Sequence, residues 1–176
     1  MLPSLFRALS ATLLVLLPGL ACADESTAIR ELLARGDAAA ALPRAERAVA
    51  ANARDAQVRF LLGVALMDLR RDGDAMQVFV RLAQDHPDLP DPLNNIALLE
   101  ARAGRLELAR AALEAALRAD PSHRLARSNL GHVHLMLAIQ AWEQAATLGP
   151  LDPAVLRRLE AARALLDLRP PAPAAR

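Results

Sequence analysis

The chain repeats itself at an interval of 34 residues, and this period constrains the fold more than any other feature. Pairs of a large and a small residue fall in step with it, as do two prolines: Leu62-Gly63, Ile96-Ala97, Leu130-Gly131, Pro87 and Pro121. A period of roughly 20 to 50 residues is typical of stacked structural units, each of which buries its apolar face only against its neighbours. We therefore expect a stack of helical hairpins.

The composition agrees with a fold made only of helices. Hydrophobic residues make up 54% of the 176 residues and aromatic residues 2%. No run alternates apolar and polar residues with the period of two that a strand requires. We predict a single all-α domain, because a chain of this length can bury one modest core.

The two central units share their apolar and small places. Counted from Ala56, places 7, 8, 11, 20, 24 and 32 hold Leu62, Gly63, Leu66, Ala75, Phe79 and Pro87. Counted from Pro90, the same places hold Ile96, Ala97, Glu100, Ala109, Leu113 and Pro121. This pattern resembles the tetratricopeptide repeat (TPR), in which small residues let paired helices cross closely. Two residues depart from it, since Glu100 takes an apolar place and Leu82 a small one; the alternative is an alanine-rich bundle with accidental spacing.

The resemblance implies a TPR-type α-solenoid of about three helical hairpins within residues 24–168. Its predicted parts are units 24–55, 56–89 and 90–123, an atypical unit 124–152 and a capping helix 153–168. Helices are expected over 26–35, 38–51, 56–69 and 74–85. Asp91 and Asp152 precede prolines and are predicted to cap the helices that follow them. Residues 169–176, rich in Pro and Ala, are predicted to form a flexible tail.

The fourth unit lacks the residues that would close its hairpin. Gly131 to Pro150 spans 19 residues, whereas Gly63 to Pro87 spans 24, and neither Gly nor Pro lies between Gly131 and Gly149. Apolar residues keep a spacing of three to four across the deletion. We predict one continuous helix from about residue 125 to 148; a very tight turn near Ala138 is the alternative.

The first 23 residues have the features of a signal peptide. Arg7 precedes an apolar run that is too short to span a membrane, and Ala21-Cys22-Ala23 forms a cleavage site. We expect export to the periplasm of a Gram-negative bacterium and cleavage after Ala23. The alternative is a lipoprotein anchored through Cys22, although Gly19 stands where a lipobox has Leu. Cleavage after Ala23 would leave a chain without a thiol.

The TPR resemblance also implies where a ligand binds. In that family the first helices of successive units line a concave groove. The residues at the corresponding places are Phe60, Val64, Met67 and Asp68 in unit two, Asn94, Asn95, Leu98 and Arg102 in unit three, and Ser128, Asn129, His132 and Met136 in unit four. Repeated amides can hydrogen-bond an extended peptide backbone, and Arg102 can bind a carboxylate. The alternative is that Asn94 and Asn95 only begin a helix and that the amides pack between units.

Charge and motifs exclude several other classes of function. All 21 basic residues are Arg, and they are dispersed among 20 acidic residues. Because no basic patch is formed along the sequence, we do not expect the chain to bind nucleic acid. His132 and His134 are two residues apart and point to different sides of a helix, which predicts no metal site. No nucleophile motif or phosphate loop occurs, and we expect neither a cofactor nor catalysis.

Two functions remain open from the sequence. The favoured one is a scaffold that binds a protein or peptide during assembly of the cell envelope. The other is a self-associating structural protein, in which the long helix of unit four and Trp142 pack against another copy to form a homodimer.

Overall fold

The computed structural model describes residues 18–167, and over this range the chain forms eight α-helices and no strand. The helices are α1 Pro18–Ala34, α2 Ala38–Ala51, α3 Ala56–Asp68, α4 Asp72–Asp85, α5 Pro90–Arg102, α6 Leu106–Ala119, α7 Arg124–Leu148 and α8 Pro153–Asp167. Each helix packs on the next one along the chain. The predicted all-α solenoid is confirmed. The predicted tail and most of the predicted signal peptide lie outside the described residues.

Three tight turns close the hairpins α1/α2, α3/α4 and α5/α6, and the turns keep the 34-residue interval. Their central residues have left-handed backbone: Gly36 (φ 77°), Arg70 (φ 61°) and Gly104 (φ 74°). In the second turn the Arg71 N–H donates to the Leu66 carbonyl at 2.9 Å, which satisfies one of the last carbonyls of α3. Glycine adopts this backbone without strain, so Arg70 carries a conformational cost that the other two turns avoid.

The small residues of the repeat lie where paired helices cross. A Cβ added to Gly63 of α3 would stand 2.5 Å from the ring of Phe79 on α4, so only glycine permits this approach. In the next hairpin Ala97 and Leu113 hold the same two places and are both buried in one cluster. The cores of the second and third hairpins are therefore each built around such a crossing.

The two residues that depart from the repeat pattern are accommodated differently. Leu82, at a small place, is fully buried among the helices. Glu100, at an apolar place, keeps 14% of its side chain exposed and forms an ion pair with Arg105 at the α5/α6 turn. The charge of Glu100 is thus paired at the edge of the crossing, where water still reaches Arg105.

Three predicted helix starts are wrong, and one of them is that of α4, which begins at Asp72 and not at residue 74. Helix α1 begins at Pro18 and not near Ser26; proline suits a first helical position because its φ is already helical and its missing N–H is not needed there. Helix α5 begins at Pro90 with Leu89 at the N-cap, so Asp91 lies inside the first turn and does not cap it. The predicted cap at Asp152 is confirmed, since its carboxylate accepts the Ala154 N–H at 2.6 Å.

Helix α7 is continuous over 25 residues, which confirms the prediction for unit four. Its first half packs on the stack, where Ala126 and Val133 join the buried cluster of α5 and α6. Its second half extends beyond that contact and packs on α8, where Ile139 meets Leu159 and Ala162. The capping helix therefore covers the second half of α7.

Candidate peptide-binding groove

The predicted groove residues lie on α3, α5 and α7, the first helices of the second, third and fourth units. Helix α1 contacts α3, and α5 contacts α7, while α2, α4 and α6 alternate with them along the chain. Met67, Asn94 and Asn95 are buried, whereas Phe60, Val64, Leu98, Asn129 and Met136 are half-buried and Asp68, Arg102, Ser128 and His132 are exposed. The surface thus offers both apolar and polar side chains to a ligand.

The apolar part of the groove rests on the core of unit two. The Phe60 and Phe79 rings are tilted by 53° with their centroids 5.8 Å apart, a favourable aromatic geometry. Val64 packs on the same cluster, and Met67 is part of it with 8% of its surface exposed. Phe60 and Val64 are therefore fixed by packing and still keep accessible surface. Met67 belongs to the buried cluster on which they pack.

The predicted amides on α5 and α7 bond to each other. The Asn129 Nδ2 donates to the Asn94 Oδ1 at 2.8 Å. Asn94 and Asn95 are only 6% and 7% exposed. The bond joins two adjacent first helices, which favours the alternative that these amides hold the units together. A direct role for Asn94, Asn95 and Asn129 in ligand binding stays a prediction.

Arg102 lies near carboxylates of the preceding unit. Its guanidinium is 3.4 Å from Asp72 at the start of α4. Although Asp68 is exposed as a whole, partial desolvation of its carboxyl raises the pKa of that group, and the nearby positive charge of Arg102 partly opposes the shift. A partner's carboxylate would have to compete with Asp72, whose contact with Arg102 is long and exposed.

An open hollow of about 270 Å³ lies beside Arg102 at the turn edge of the stack. Its walls come from the α3/α4 turn, the α5/α6 turn and the helices α4 and α5. The lining residues are Arg70, Asp72, Gly73, Met76, Leu99, Arg102, Ala103 and Arg105. The guanidiniums of Arg102 and Arg105 are both paired with carboxylates, to Asp72 and Glu100 respectively. Arg70 lines the hollow as well, so its walls keep a small excess of positive charge.

One inter-unit contact was not foreseen from the sequence. The His123 Nδ1 accepts the Ala126 N–H at 3.0 Å and so caps α7. The Nε2 lies 2.9 Å from the Asp91 carboxylate on α5, and because Nδ1 accepts, Nε2 carries the hydrogen and donates it. Histidine is not a usual capping residue. No local pattern in the sequence therefore points to the contact between Asp91 and His123.

Two other features are absent from the part of the chain that the structure describes. None of the helices there has the length and apolar character of a membrane span. No three His, Cys, Asp or Glu side chains among residues 25–166 are grouped as metal ligands would be. His132 and His134 are both exposed on α7.

Comparisons with known proteins agree with this architecture. The profile of the tetratricopeptide repeat family matches residues 27–90 and 94–154, more than half of the chain. No curated protein matches it. Among solved structures, it is similar to YrrB, a TPR protein with an unusual peptide-binding site, at 25% identity and a TM-score of 0.57; the match covers 61% of this chain and 56% of YrrB.

Two further structures share the fold. The second TPR domain of human RPAP3, solved with the HSP70 peptide SGPTIEEVD, is 15% identical with a TM-score of 0.59, covering 66% of this chain and 98% of that domain. A TPR protein from Parabacteroides merdae is 18% identical with a TM-score of 0.58, covering 85% of this chain and 62% of the other. At these identities the likeness concerns the fold alone.

Proposed function

Because the chain belongs to the tetratricopeptide repeat family, we propose that it is a non-catalytic scaffold that binds an extended segment of another protein along α3, α5 and α7. One observation carries the proposal: half-buried apolar and exposed polar side chains follow one another along these three helices. YrrB has a peptide-binding site, and the RPAP3 domain was solved with a peptide. Both observations concern those proteins and support the proposal by analogy of fold.

The chemistry of the surface suggests the kind of segment that fits it. Phe60, Val64 and Leu98 present fixed apolar surface and favour aliphatic or aromatic side chains. Met136 adds an adaptable apolar contact, since its thioether chain adjusts to different shapes. Arg102 can exchange its long contact with Asp72 for a bidentate one with an acidic side chain of the partner. The partner segment is therefore expected to be apolar with an acidic residue.

The test uses a peptide selected from a random library on the immobilised chain. Its dissociation constant is measured for the native chain, for Leu98→Glu on α5 and for Leu108→Glu on α6, where Leu108 is 53% exposed. We expect Leu98→Glu to weaken binding at least about tenfold, because a carboxylate would be buried under the peptide. Leu108→Glu, on the second helix of that hairpin, is expected to leave affinity unchanged.

The location of binding is read from nuclear magnetic resonance. Peptide-induced shifts are expected on α3, α5 and α7, with helical circular dichroism the same in both variants. Shifts confined to α2, α4 and α6, or loss of binding only in Leu108→Glu, would place the site elsewhere and contradict the proposal.

We also propose that the scaffold works in the periplasm of a Gram-negative bacterium and serves assembly of the cell envelope. The support is the sequence of residues 1–23, with Arg7, a short apolar run and the Ala21-Cys22-Ala23 cleavage site. The intact mass of protein recovered from the periplasmic fraction tests this. A chain beginning at Asp24 is expected; a diacylglycerol on Cys22 would instead identify a lipoprotein, and recovery from the cytoplasm of an uncleaved chain would contradict export.

A further inference from the structure

Helix α7 carries an unfilled copy of the contact that closes unit two. In unit two the ring of Phe79 lies directly over Gly63, within 3.0 Å of where a Cβ would stand. Gly131 holds the equivalent place of unit four, yet it is exposed, and a Cβ there would meet no described atom within 4 Å. The small residue that should receive a bulky side chain therefore receives none from residues 25–166 of its own chain.

The repeat assigns Trp142 to this empty place. Phe79 stands eight residues before Pro87, Leu113 eight before Pro121, and Trp142 eight before Pro150. Because the hairpin turn is missing, Trp142 follows Gly131 on one helix, about 16 Å further along its axis and about 20° around it. Trp142 therefore faces the same direction as Gly131 and cannot reach it within one copy.

The residues between them form a regular seam along α7. Spacings of three and four alternate through Ser128, Gly131, Leu135, Ala138, Trp142 and Ala145. This alternation places the residues along one side of a helix, as in a coiled coil. None of the six is charged, and each is exposed or half-buried. The seam is therefore able to accept a second helix.

The seam is separate from the surface with which α7 packs on α5 and α6, and it shares Leu135 and Trp142 with the contact between α7 and α8. Ala126 and Val133, which pack on α5 and α6, lie on the opposite side of the helix. Ile139 meets α8 about 80° from Gly131, so α8 flanks the second half of the seam and contacts Leu135 and Trp142 from one side. His132 and Met136 of the groove lie beyond it, and only Ser128 borders both surfaces.

We propose that the occupant is α7 of a second copy, antiparallel to the first and related to it by a two-fold axis between Met136 and Leu137. This register places Trp142 of each copy over Gly131 of the other. It also pairs Leu135 with Ala138 and Ser128 with Ala145 across the interface. Every pair joins a small side chain to a larger or equally small one, so the two seams are complementary in volume, as an isologous interface requires.

The missing turn gives this arrangement a physical reason. A closed hairpin would place Trp142 over Gly131 within one chain, as Phe79 covers Gly63. Opening the turn into a continuous helix removes that contact from the monomer and offers the same contact between copies, which is how exchanged elements produce dimers. The inference goes beyond peptide binding, because the dimer leaves Phe60, Val64 and Leu98 accessible.

The first test measures mass by light scattering for the native chain and for Gly131→Leu. A Leu at this open position adds a side chain in solvent in the monomer and fills the place of Trp142 in the dimer. Native chain at about 100 µM is expected to show twice the monomer mass, and Gly131→Leu the monomer mass with unchanged helical circular dichroism. Gly73→Leu is the matched control, since Gly73 of α4 also has no described atom near a Cβ; it is expected to remain dimeric.

The second test reads the register with disulfides, in the full chain carrying Cys22→Ser so that each introduced cysteine is the sole thiol. Chains with Ser128→Cys and chains with Ala145→Cys are mixed and oxidised. Only the mixture should form a covalent dimer, because residues 128 and 145 of different copies face each other, while each position lies about 25 Å from its own counterpart.

Three outcomes would overturn the proposal. A native chain that is monomeric at about 100 µM shows that the seam stays empty. A dimer that survives Gly131→Leu uses another surface. A covalent dimer formed between two Ser128→Cys chains, with no dimer that joins residue 128 to residue 145 in the mixture, indicates parallel helices and a different register.

Discussion

Units two and four each carry a glycine and a bulky aromatic residue at corresponding places of the repeat, but the two units bury these residues differently. In unit two the α3/α4 turn folds Phe79 back over Gly63, and the pair closes part of the core. In unit four the helix continues, Gly131 is exposed and Trp142 is half-buried against α8. The comparison shows that the repeat pattern specifies which residues can meet, and that the turn decides whether they meet within one hairpin.

Removing the bulky residue of each pair gives the largest expected difference. Phe79→Ala leaves a cavity at a fully buried position and is expected to lower the free energy of unfolding by about 3–5 kcal/mol. Trp142→Ala removes a half-buried ring and is expected to cost about 1–2 kcal/mol. Urea unfolding of dilute protein measures both. Equal losses would contradict the difference in packing between the two units.

Adding a methyl group to each glycine is expected to have opposite effects. Gly63→Ala brings a Cβ against the Phe79 ring and is expected to destabilise the chain by about 1–3 kcal/mol. Gly131→Ala meets open space and replaces a helical glycine, which is expected to stabilise by about 0.5–1 kcal/mol. Thermal unfolding gives the sign of each change. Destabilisation by Gly131→Ala would mean that its surroundings are occupied in the monomer.

A smaller difference concerns pH, at the place held by Asp68 in unit two and by the uncharged Met136 in unit four. Burial raises the pKa of Asp68 in the folded chain. A raised pKa contributes stability at pH values below the unfolded pKa, and this contribution is lost as pH rises through the folded pKa. Asp68→Asn is therefore expected to match the native chain near pH 3 and to be slightly more stable at pH 7.

The measurement is urea unfolding at both pH values. Met136→Gln puts an uncharged amide at the equivalent, half-buried place of unit four; it is the control and should change stability equally at pH 3 and pH 7. An Asp68→Asn variant that is less stable than the native chain at pH 7 would show that the attraction of Arg102 outweighs burial.

The sequence predicted the parts of the fold that depend on spacing. The bounds of α2 agree with the prediction, and the absence of Gly and Pro between Gly131 and Gly149 correctly predicted the long helix α7. Small residues at crossings were predictable because helix packing requires them.

Local backbone choices were harder to predict. The run Arg70-Arg71-Asp72-Gly73 suggests a turn at its glycine, yet Arg70 takes the left-handed backbone and Gly73 lies inside α4. The position of the turn is fixed by the lengths of the packed helices, which outweigh the local preference of Arg70 for ordinary backbone.

The sequence assigned the candidate groove residues to first helices, which the structure shows as α3, α5 and α7, but it did not predict the contacts of their side chains. Asn94 and Asn129 were both placed on first helices, but the sequence left open whether their amides face a ligand or each other. The bond of 2.8 Å between them depends on the distance between α5 and α7, which no local pattern encodes. The pairing of Arg102 with Asp72 likewise depends on how two hairpins stack.

The open state of unit four is tested most directly by the distance between its ends. Leu125 and Leu148, both exposed at the two ends of α7, are replaced by Cys in the Cys22→Ser chain and spin-labelled. Their separation is measured by pulsed electron paramagnetic resonance in excess unlabelled chain, so that only distances within one copy contribute. A continuous helix predicts about 35 Å between the labelled backbone positions. A separation of about 10–15 Å would show a closed hairpin, with Trp142 able to cover Gly131 as Phe79 covers Gly63, and would contradict the account.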